Sequence, residues 1–208
     1  MLSRETRREY LSEAFHSLSQ PLTALQCGLE LAVAVPRSQK EYERRLGDAL
    51  QSTGSLREMM TALRELVEAE DPGEDAREVE VGELLSSLGD SLHKIALMYE
   101  SELDVQSPEQ TTVCASQEKL SRLLLFLAEQ VVGRQGTLRV KAESVDRKVE
   151  IRIETDGKRV KKEVEGRTWR DRVNEIRMSA ADNYIAMLGG VLRASEAGYE
   201  IELPKVGS

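Results

Sequence analysis

Apolar residues recur through the first part of the chain in a four-three step that few architectures satisfy. Leu11, Phe15, Leu18, Leu22, Leu25, Leu29 and Ala32 follow it in one segment. Tyr42, Leu46, Ala49, Thr53, Leu56, Met60, Leu63 and Val67 follow it in the next. A heptad period of this kind marks helices that pack side by side along a continuous seam. Pro36 and the short stretch 36–39 interrupt the pattern, so the two segments read as an antiparallel helical hairpin. Two helices alone leave each apolar stripe half exposed. Pairing two hairpins into a four-helix bundle covers both stripes, and residues 1–70 are therefore expected to form a homodimer. The alternative is that the hairpin packs on the remainder of its own chain.

Composition limits what the rest can be. Of the 208 residues, 40% are hydrophobic and 32% charged, a mix that suits a globular rather than a disordered chain. Aromatics amount to 4%, so the core must rest on Leu, Val, Ile and Ala. The formal net charge of -8 opposes non-specific binding to nucleic acid, because phosphates repel an acidic surface. No run reaches the ~18–20 apolar residues that a membrane span requires. No apolar block follows the charged first residues, so no secretory signal is read there. A cytoplasmic protein with neither nucleic-acid nor membrane partners is expected. Cys27 and Cys114 are too few for a disulfide framework, and each is expected to pack as a small apolar residue.

After residue 68 the pattern changes. Residues 69–76 are acidic, contain Pro72 and Gly73, and read as a linker. Residues 77–81 alternate like a strand, and 82–100 carry helical spacing through Leu84, Leu85, Leu88, Leu92, Ile95, Ala96 and Tyr99. A short strand falls within 110–114, and an apolar helix spans 117–132. Residues 137–144 and 149–154 alternate as a hairpin. A long polar region with helical stretches then leads to two last strands, 191–195 and 199–203, around Gly198. The expected fold is α+β: the N-terminal hairpin of residues 1–70, forming a dimeric four-helix bundle, and a two-layer α/β sandwich over 77–208.

Within the first helix, His16 is followed by Ser17, Gln20, Pro21 and Leu22. His16 adjoins the seam residue Phe15 and so faces outward. Imidazole near neutral pH offers an unprotonated nitrogen able to attack phosphorus. Pro21 has no N–H for the carbonyl of Ser17, four residues back, and should kink the helix one turn beyond the histidine. A proline inside a helix costs ~3 kcal/mol, which points to a structural use for it. The spacing His16–Pro21–Leu22 resembles the phosphoacceptor box of histidine kinases. The order of elements is also similar to that family: histidine helix, second helix, linker, then a sandwich closing on Gly189–Gly190, a strand, a Gly turn and a final strand. The resemblance implies that the sandwich derives from the kinase ATP-binding (Bergerat) fold and that His16 is the phosphoacceptor.

The chain departs from that family where ATP would bind. The acidic residue expected directly after the histidine is Ser17. The two asparagines of the metal- and phosphate-binding helix fall on Phe126 and Gln130, and Phe126 cannot ligate a cation. The adenine-binding Asp falls on Thr155 and the second glycine of that box on Arg159; a shift of one would restore Asp156 but spoil the glycine spacing. Between 161 and 186 the only glycine is Gly166, so no glycine-rich phosphate loop is present. The basic cluster Lys158, Arg159, Lys161, Lys162 reads as a solvated surface or as a docking patch for an acidic partner. His93 reads as structural or solvated, and no metal site is expected.

The resemblance therefore implies a histidine phosphotransferase, similar to the ChpT-type proteins, that exchanges a phosphoryl group between His16 and receiver-domain aspartates of response regulators. It would hold no cofactor of its own, the receiver supplying Mg²⁺. Gln20, one turn beyond His16, could position a water or the imidazole. Ser17, Ser19 and Thr23 could bond phosphate oxygens or be ordinary surface polars, and Gln26, Arg4 and Arg8 are further candidate contacts. The alternatives are a non-catalytic pseudokinase that sequesters a signalling partner, and a divergent ATP-dependent histidine kinase.

Overall fold

The structure, a computed structural model, describes residues 4–34, 36, 38–71, 76–107, 111–158 and 169–207; of residues 4–14, 16 and 17 it describes the backbone alone. The chain divides into two compact units, Met1–Val67 with Val164–Ala180, and Glu68–Glu163 with Ala181–Ser208.

The first unit holds α1 (Arg4–Ala34) and α2 (Gln39–Glu68), two long helices separated by residues 35–38. The Ser38 carbonyl accepts from the backbone N–H groups of Glu41 and Tyr42, which opens α2. The heptad seam is split in two. On α1 a half-buried stripe runs through Leu18, Pro21, Leu25, Gly28 and Ala32, whereas Phe15, Leu22 and Leu29 stay exposed. On α2 the half-buried stripe includes Arg45, Ala49, Ser52, Leu56 and Leu63, and Leu46, Leu50, Met60 and Val67 are exposed. Phe15 is 64% exposed and Leu50 73%. Eight of the fourteen seam positions whose side chains are described are thus exposed, an apolar surface of the kind that marks an interaction face.

A second stripe on α2 lies outside the heptad seam. Ser55, Met59, Ala62 and Leu66 are buried, again at four-three spacing. The N-terminal half of a later helix, α5 (Trp169–Met187), belongs to this same unit, and its Val173, Ile176 and Ala180 are buried. Arg177 of α5 forms an ion pair with Glu65 of α2 at 3.2 Å.

The second unit is an α/β sandwich. Strand β1 (Arg77–Glu80) pairs antiparallel with β3 (Thr112–Ala115). A five-stranded sheet contains β2 (Glu102–Gln106), β4 (Thr137–Val145), β5 (Lys148–Thr155), β6 (Val191–Ala194) and β7 (Gly198–Pro204), in the order β2-β4-β5-β7-β6. Only the β2–β4 pair in that sheet is parallel. Alternation along the strands sends Leu138, Val140 and Ala142, then Val149, Ile151 and Ile153, then Ile201 and Leu203, to one face. Helices α3 (Val81–Met98) and α4 (Gln117–Val131) cover that face, packing on each other and on β2, β4, β5 and β7. Leu84, Leu85, Leu92, Leu120, Leu124 and Leu127 are fully buried, each contributing about 1.5–3 kcal/mol of apolar transfer. The opposite face of the sheet is charged, and Arg152 lies among Glu143, Glu150 and Glu200 there.

Val81, read in the sequence as the end of a strand, is the first residue of α3. The Glu80 carboxylate before it accepts from the backbone N–H groups of Glu83 and Thr111 and so caps the helix. Strand β2 has no counterpart in the sequence reading. The two cysteines are a correction: both Cys27 and Cys114 are exposed, not packed as apolar residues. Among the described residues no helix is long and apolar enough to cross a membrane.

Candidate functional site

His16 and Ser17 sit midway along α1, with helical backbone; their side chains lie outside the described residues, as do those of Arg4 and Arg8. Gln20, one turn on, is exposed. Pro21 is half-buried, and the helix runs through it to Ala34. The ring faces the half-buried stripe with Leu18 and Leu25, which leaves the opposite face of the helix to polar and small residues.

The hydroxyls near this turn are engaged with their own helix. Ser19 Oγ donates to the Phe15 carbonyl at 2.9 Å, and Thr23 Oγ1 to the Ser19 carbonyl at 2.8 Å. Such back-bonding satisfies side chains that have no other partner and bends helices slightly. It lies on either side of Pro21, where the ladder already lacks a donor. To bond a phosphate oxygen, either hydroxyl would first have to rotate away from its carbonyl. Gln26 likewise donates to Glu30 at 2.8 Å.

In the sandwich, the positions that the resemblance assigns to nucleotide binding carry little polar chemistry. Phe126 is buried on α4, 8% exposed, and offers no oxygen or nitrogen; Gln130, one turn later, is half-buried. Thr155 is the last residue of β5 and points to the covered face of the sheet. Its N–H donates to the Ala197 carbonyl at 3.1 Å and its Oγ1 accepts from Gly157 N at 3.1 Å. Asp156, the other candidate for the adenine contact, is exposed. Its Oδ1 accepts from Thr137 N at 2.7 Å, and its Oδ2 meets Arg139 at 2.6 Å. The Thr137 amide, then the Arg139 guanidinium, hold this carboxyl below the usual aspartate range. Thr155 thus faces inward, and the Asp156 carboxylate is committed to the start of β4.

The chain leaving β5 is joined to the loop after α4. Arg134 and Lys158 exchange backbone hydrogen bonds at 3.0 and 3.1 Å. A Cβ on Gly136 would lie 2.3 Å from Gly157 backbone atoms, so this approach of two main chains depends on glycine. Gly157, which the sequence aligns with the first glycine of the adenine box, serves that contact. Lys158 is exposed; Arg159, Lys161, Lys162 and Gly166 lie outside the described residues. Of the positions that the resemblance assigns to a Mg²⁺–nucleotide, Phe126 offers no ligand atom and Asp156 is tied to Thr137 and Arg139, while Gln130 keeps an amide. His93 is exposed on α3.

No family model and no curated protein matches the sequence. Solved structures do match the fold. The histidine kinase AdeS of Acinetobacter baumannii superimposes with a TM-score of 0.66 at 15% identity, over 92% of this chain and 98% of that one. The histidine kinase ThkA, in complex with the response regulator protein TrrA, gives a TM-score of 0.66 at 17% identity, over 95% of this chain and 61% of that one. Full-length ShkA in complex with AMPPNP gives 0.63 at 14% identity, over 95% of this chain and 46% of that one. At these identities the likeness is one of fold: the chain has a histidine-kinase-like core, a helical N-terminal region followed by an α/β domain whose fold resembles that of histidine kinase ATP-binding domains.

Proposed function

We propose that this chain is a histidine phosphotransferase that relays a phosphoryl group between His16 and the aspartates of response-regulator receiver domains, without binding ATP. The observation that carries the reading is the contrast inside the sandwich. Its apolar core is complete, yet Phe126 and Thr155 stand where the fold's nucleotide ligands are expected, and Asp156 is bonded to Thr137 and Arg139. A domain kept for packing while stripped of its ligand groups has been retained for something other than ATP hydrolysis. That the similar ThkA is solved with a response regulator supports a receiver as partner.

The chemistry asks little of this chain. An imidazole nitrogen of His16 attacks the phosphorus of an aspartyl phosphate, the N–P bond forms as the P–O bond to the carboxylate breaks, and the imidazole proton passes to solvent. The receiver brings Mg²⁺ to offset the charge on the phosphoryl oxygens. The contribution of the helix is position, since holding nucleophile and phosphorus in line removes most of the entropic barrier. Gln20, exposed one turn from His16, orients the imidazole or a water.

The functional unit is a homodimer. Phe15, Leu22 and Leu29 with Leu46, Leu50, Met60 and Val67 are uncovered in one protomer, and a second hairpin in a four-helix bundle covers them. The exposed outward face of α1 beside Gln20 then remains free for the receiver.

Incubation with a phosphorylated receiver and Mg²⁺ tests the proposal. The wild-type chain drains the receiver's phosphate and becomes acid-labile phosphohistidine, His16→Ala does neither, and labelled ATP gives no product with either. Labelling of His16 from ATP would instead identify a divergent kinase. One observation favours a second reading, a non-catalytic module that sequesters a signalling partner: the Ser19 and Thr23 hydroxyls beside the histidine are turned onto their own helix. On that reading His16→Ala binds a receiver as tightly as wild type and no phosphate moves.

A further inference from the structure

We infer that Lys119 is a clasp. Its ammonium holds the four residues Glu68–Asp71 on the start of α4, so the beginning of the segment 69–76, expected from the sequence to be a linker, is a fastened strap that opens when the charge on Lys119 is removed. Every residue involved belongs to the second unit, and the inference stands apart from the phosphotransfer reading.

An acidic stretch that contains Pro and Gly has little of its own to order it. Its first residues are nevertheless bound. Lys119 Nζ donates to the Glu68 carbonyl at 2.9 Å and to the Asp71 carbonyl at 2.8 Å. The Asp71 N–H donates to the same Glu68 carbonyl at 3.2 Å, which closes a turn between the two acceptors. Ala69, inside that turn, is buried. Arg122, three residues along α4 from Lys119, reaches the Glu68 carboxylate at 3.6 Å. At its far end the segment returns to the same helix, where Arg77 donates to the Gln117 side chain at 3.1 Å.

The cation is the one part of this arrangement that can be removed alone. An ammonium bonds carbonyls through charge-assisted hydrogen bonds, roughly twice as strong as neutral ones. It also lies 5.8 Å from the centroid of the Tyr184 ring, whose face attracts a cation. The start of α4 does not depend on that charge. Ser116 Oγ accepts from Lys119 N at 3.3 Å, and Tyr184 Oη accepts from Ser116 N at 2.9 Å; neither bond uses the ammonium. Loss of the charge therefore opens the strap locally and leaves the helix in place, one of the partial openings that cost less than global unfolding.

Amide hydrogen exchange of the full-length chain, followed residue by residue by NMR, tests the clasp. Lys119→Met keeps the length of the side chain and removes the ammonium. In it the Asp71 amide exchanges faster by roughly tenfold or more, the effect of losing one hydrogen bond to a charged group. The amides of Leu124 and Val131 in α4 keep wild-type protection. Lys119→Arg, which keeps the charge and the donors, recovers part of the protection at Asp71. Tyr184→Phe, which loses the bond to Ser116 but keeps the ring, leaves Asp71 unchanged. Wild-type exchange at Asp71 in Lys119→Met would overturn the inference. Equal release of Asp71 by Tyr184→Phe would do the same, because the strap would then be held by the packing around α4 and not by the ammonium. So would a Lys119→Met chain in which Leu124 and Val131 also lose protection, since the strap would then have no opening of its own.

Discussion

Lys119 of α4 donates from its ammonium to the backbone carbonyls of Glu68, at 2.9 Å, and Asp71, at 2.8 Å, so that the carbonyls where α2 ends are met by a side chain of the second unit, to which both residues belong. A helix ends with four carbonyls lacking intrahelical donors, and a cation there both bonds them and offsets the negative end of the helix dipole. Tyr184, whose ring lies 5.8 Å from the same ammonium, accepts at its hydroxyl from Ser116 N, the residue that caps α4. Two helix ends, the C-terminus of α2 and the N-terminus of α4, are thereby satisfied by one small group of side chains.

The identity of Phe126 yields the first expectation. It is buried in the helix layer, and replacement by asparagine removes an aromatic ring and leaves an amide among apolar neighbours. Phe126→Asn should cost about 3–5 kcal/mol of stability, the range for truncating a buried Phe. The same variant should gain no affinity for a Mg²⁺–nucleotide, because Thr155 and the bonded Asp156 are unchanged. Urea denaturation and titration calorimetry read the two outcomes separately. A stable variant that binds nucleotide would show that the ring merely plugs a working pocket.

Stability should depend on acid through Glu80. Burial pushes its carboxyl up, but the backbone N–H groups of Glu83, Gly82 and Thr111 outweigh that effect and hold it below the usual glutamate range. A folded-state pKa below the unfolded one stabilises the fold above the unfolded value of 4.5, and the gain is lost as pH falls through the folded value. Glu80→Gln should flatten the part of the stability–pH curve below pH 4.5 and cost about 1 kcal/mol at neutral pH, as the loss of a helix cap does. Urea midpoints followed from neutral pH down into the acid range would check it. If the Glu80→Gln variant kept the wild-type acid dependence, that dependence would lie elsewhere, with Glu202, which Lys148 and Arg193 hold low, as the next candidate.

The proposed homodimer is tested at Leu22. It is 54% exposed in the protomer, so Leu22→Glu should alter the stability of an isolated chain by no more than about 0.5 kcal/mol. In a four-helix bundle the same carboxylate would be forced into the apolar seam of both copies, and the dimer should dissociate. Light scattering across a concentration series would show a monomer with unchanged far-ultraviolet circular dichroism. Retention of the dimer would mean that the exposed seam serves some other contact.

The sandwich was legible wherever alternation was strong. Val149, Ile151 and Ile153 on β5 and Leu138 and Val140 on β4 gave the sheet its apolar face, and Leu84 to Ala96 gave α3 its helical spacing. Strand β2 was silent because only Leu103 and Val105, both half covered, stand among Glu102, Asp104 and Gln106, too short an alternation to separate from a loop. The second stripe of α2 was hidden by its own composition: Ser55 and Ala62 are small, and Leu56, Met60 and Leu63 beside them dominate any heptad reading. The role of α5 could not be found from periodicity, since Arg170, Asp171, Arg172 and Glu175 dilute the spacing of Val173, Ile176 and Ala180. Around His16 the spacing to Pro21 and Leu22 carried a resemblance to the phosphoacceptor box, but the back-bonding of Ser19 and Thr23 depends on rotamers that no spacing encodes.

Pro21 links helix stability to transfer with opposite signs. It sits inside α1 at a half-buried position, where the Ser17 carbonyl has no donor four residues on. Pro21→Ala supplies that donor and removes the ring, so α1 should gain as much as about 3 kcal/mol of helical stability. The open carbonyl would then be closed, and with it the local geometry of the turn between His16 and Gln20 would change. Transfer from a phosphorylated receiver should fall even as the melting temperature rises, because the nucleophile is held in a different direction relative to the incoming phosphorus. Measuring both on one preparation is decisive: a variant that is more stable and transfers at the wild-type rate would assign Pro21 no part in presenting the histidine.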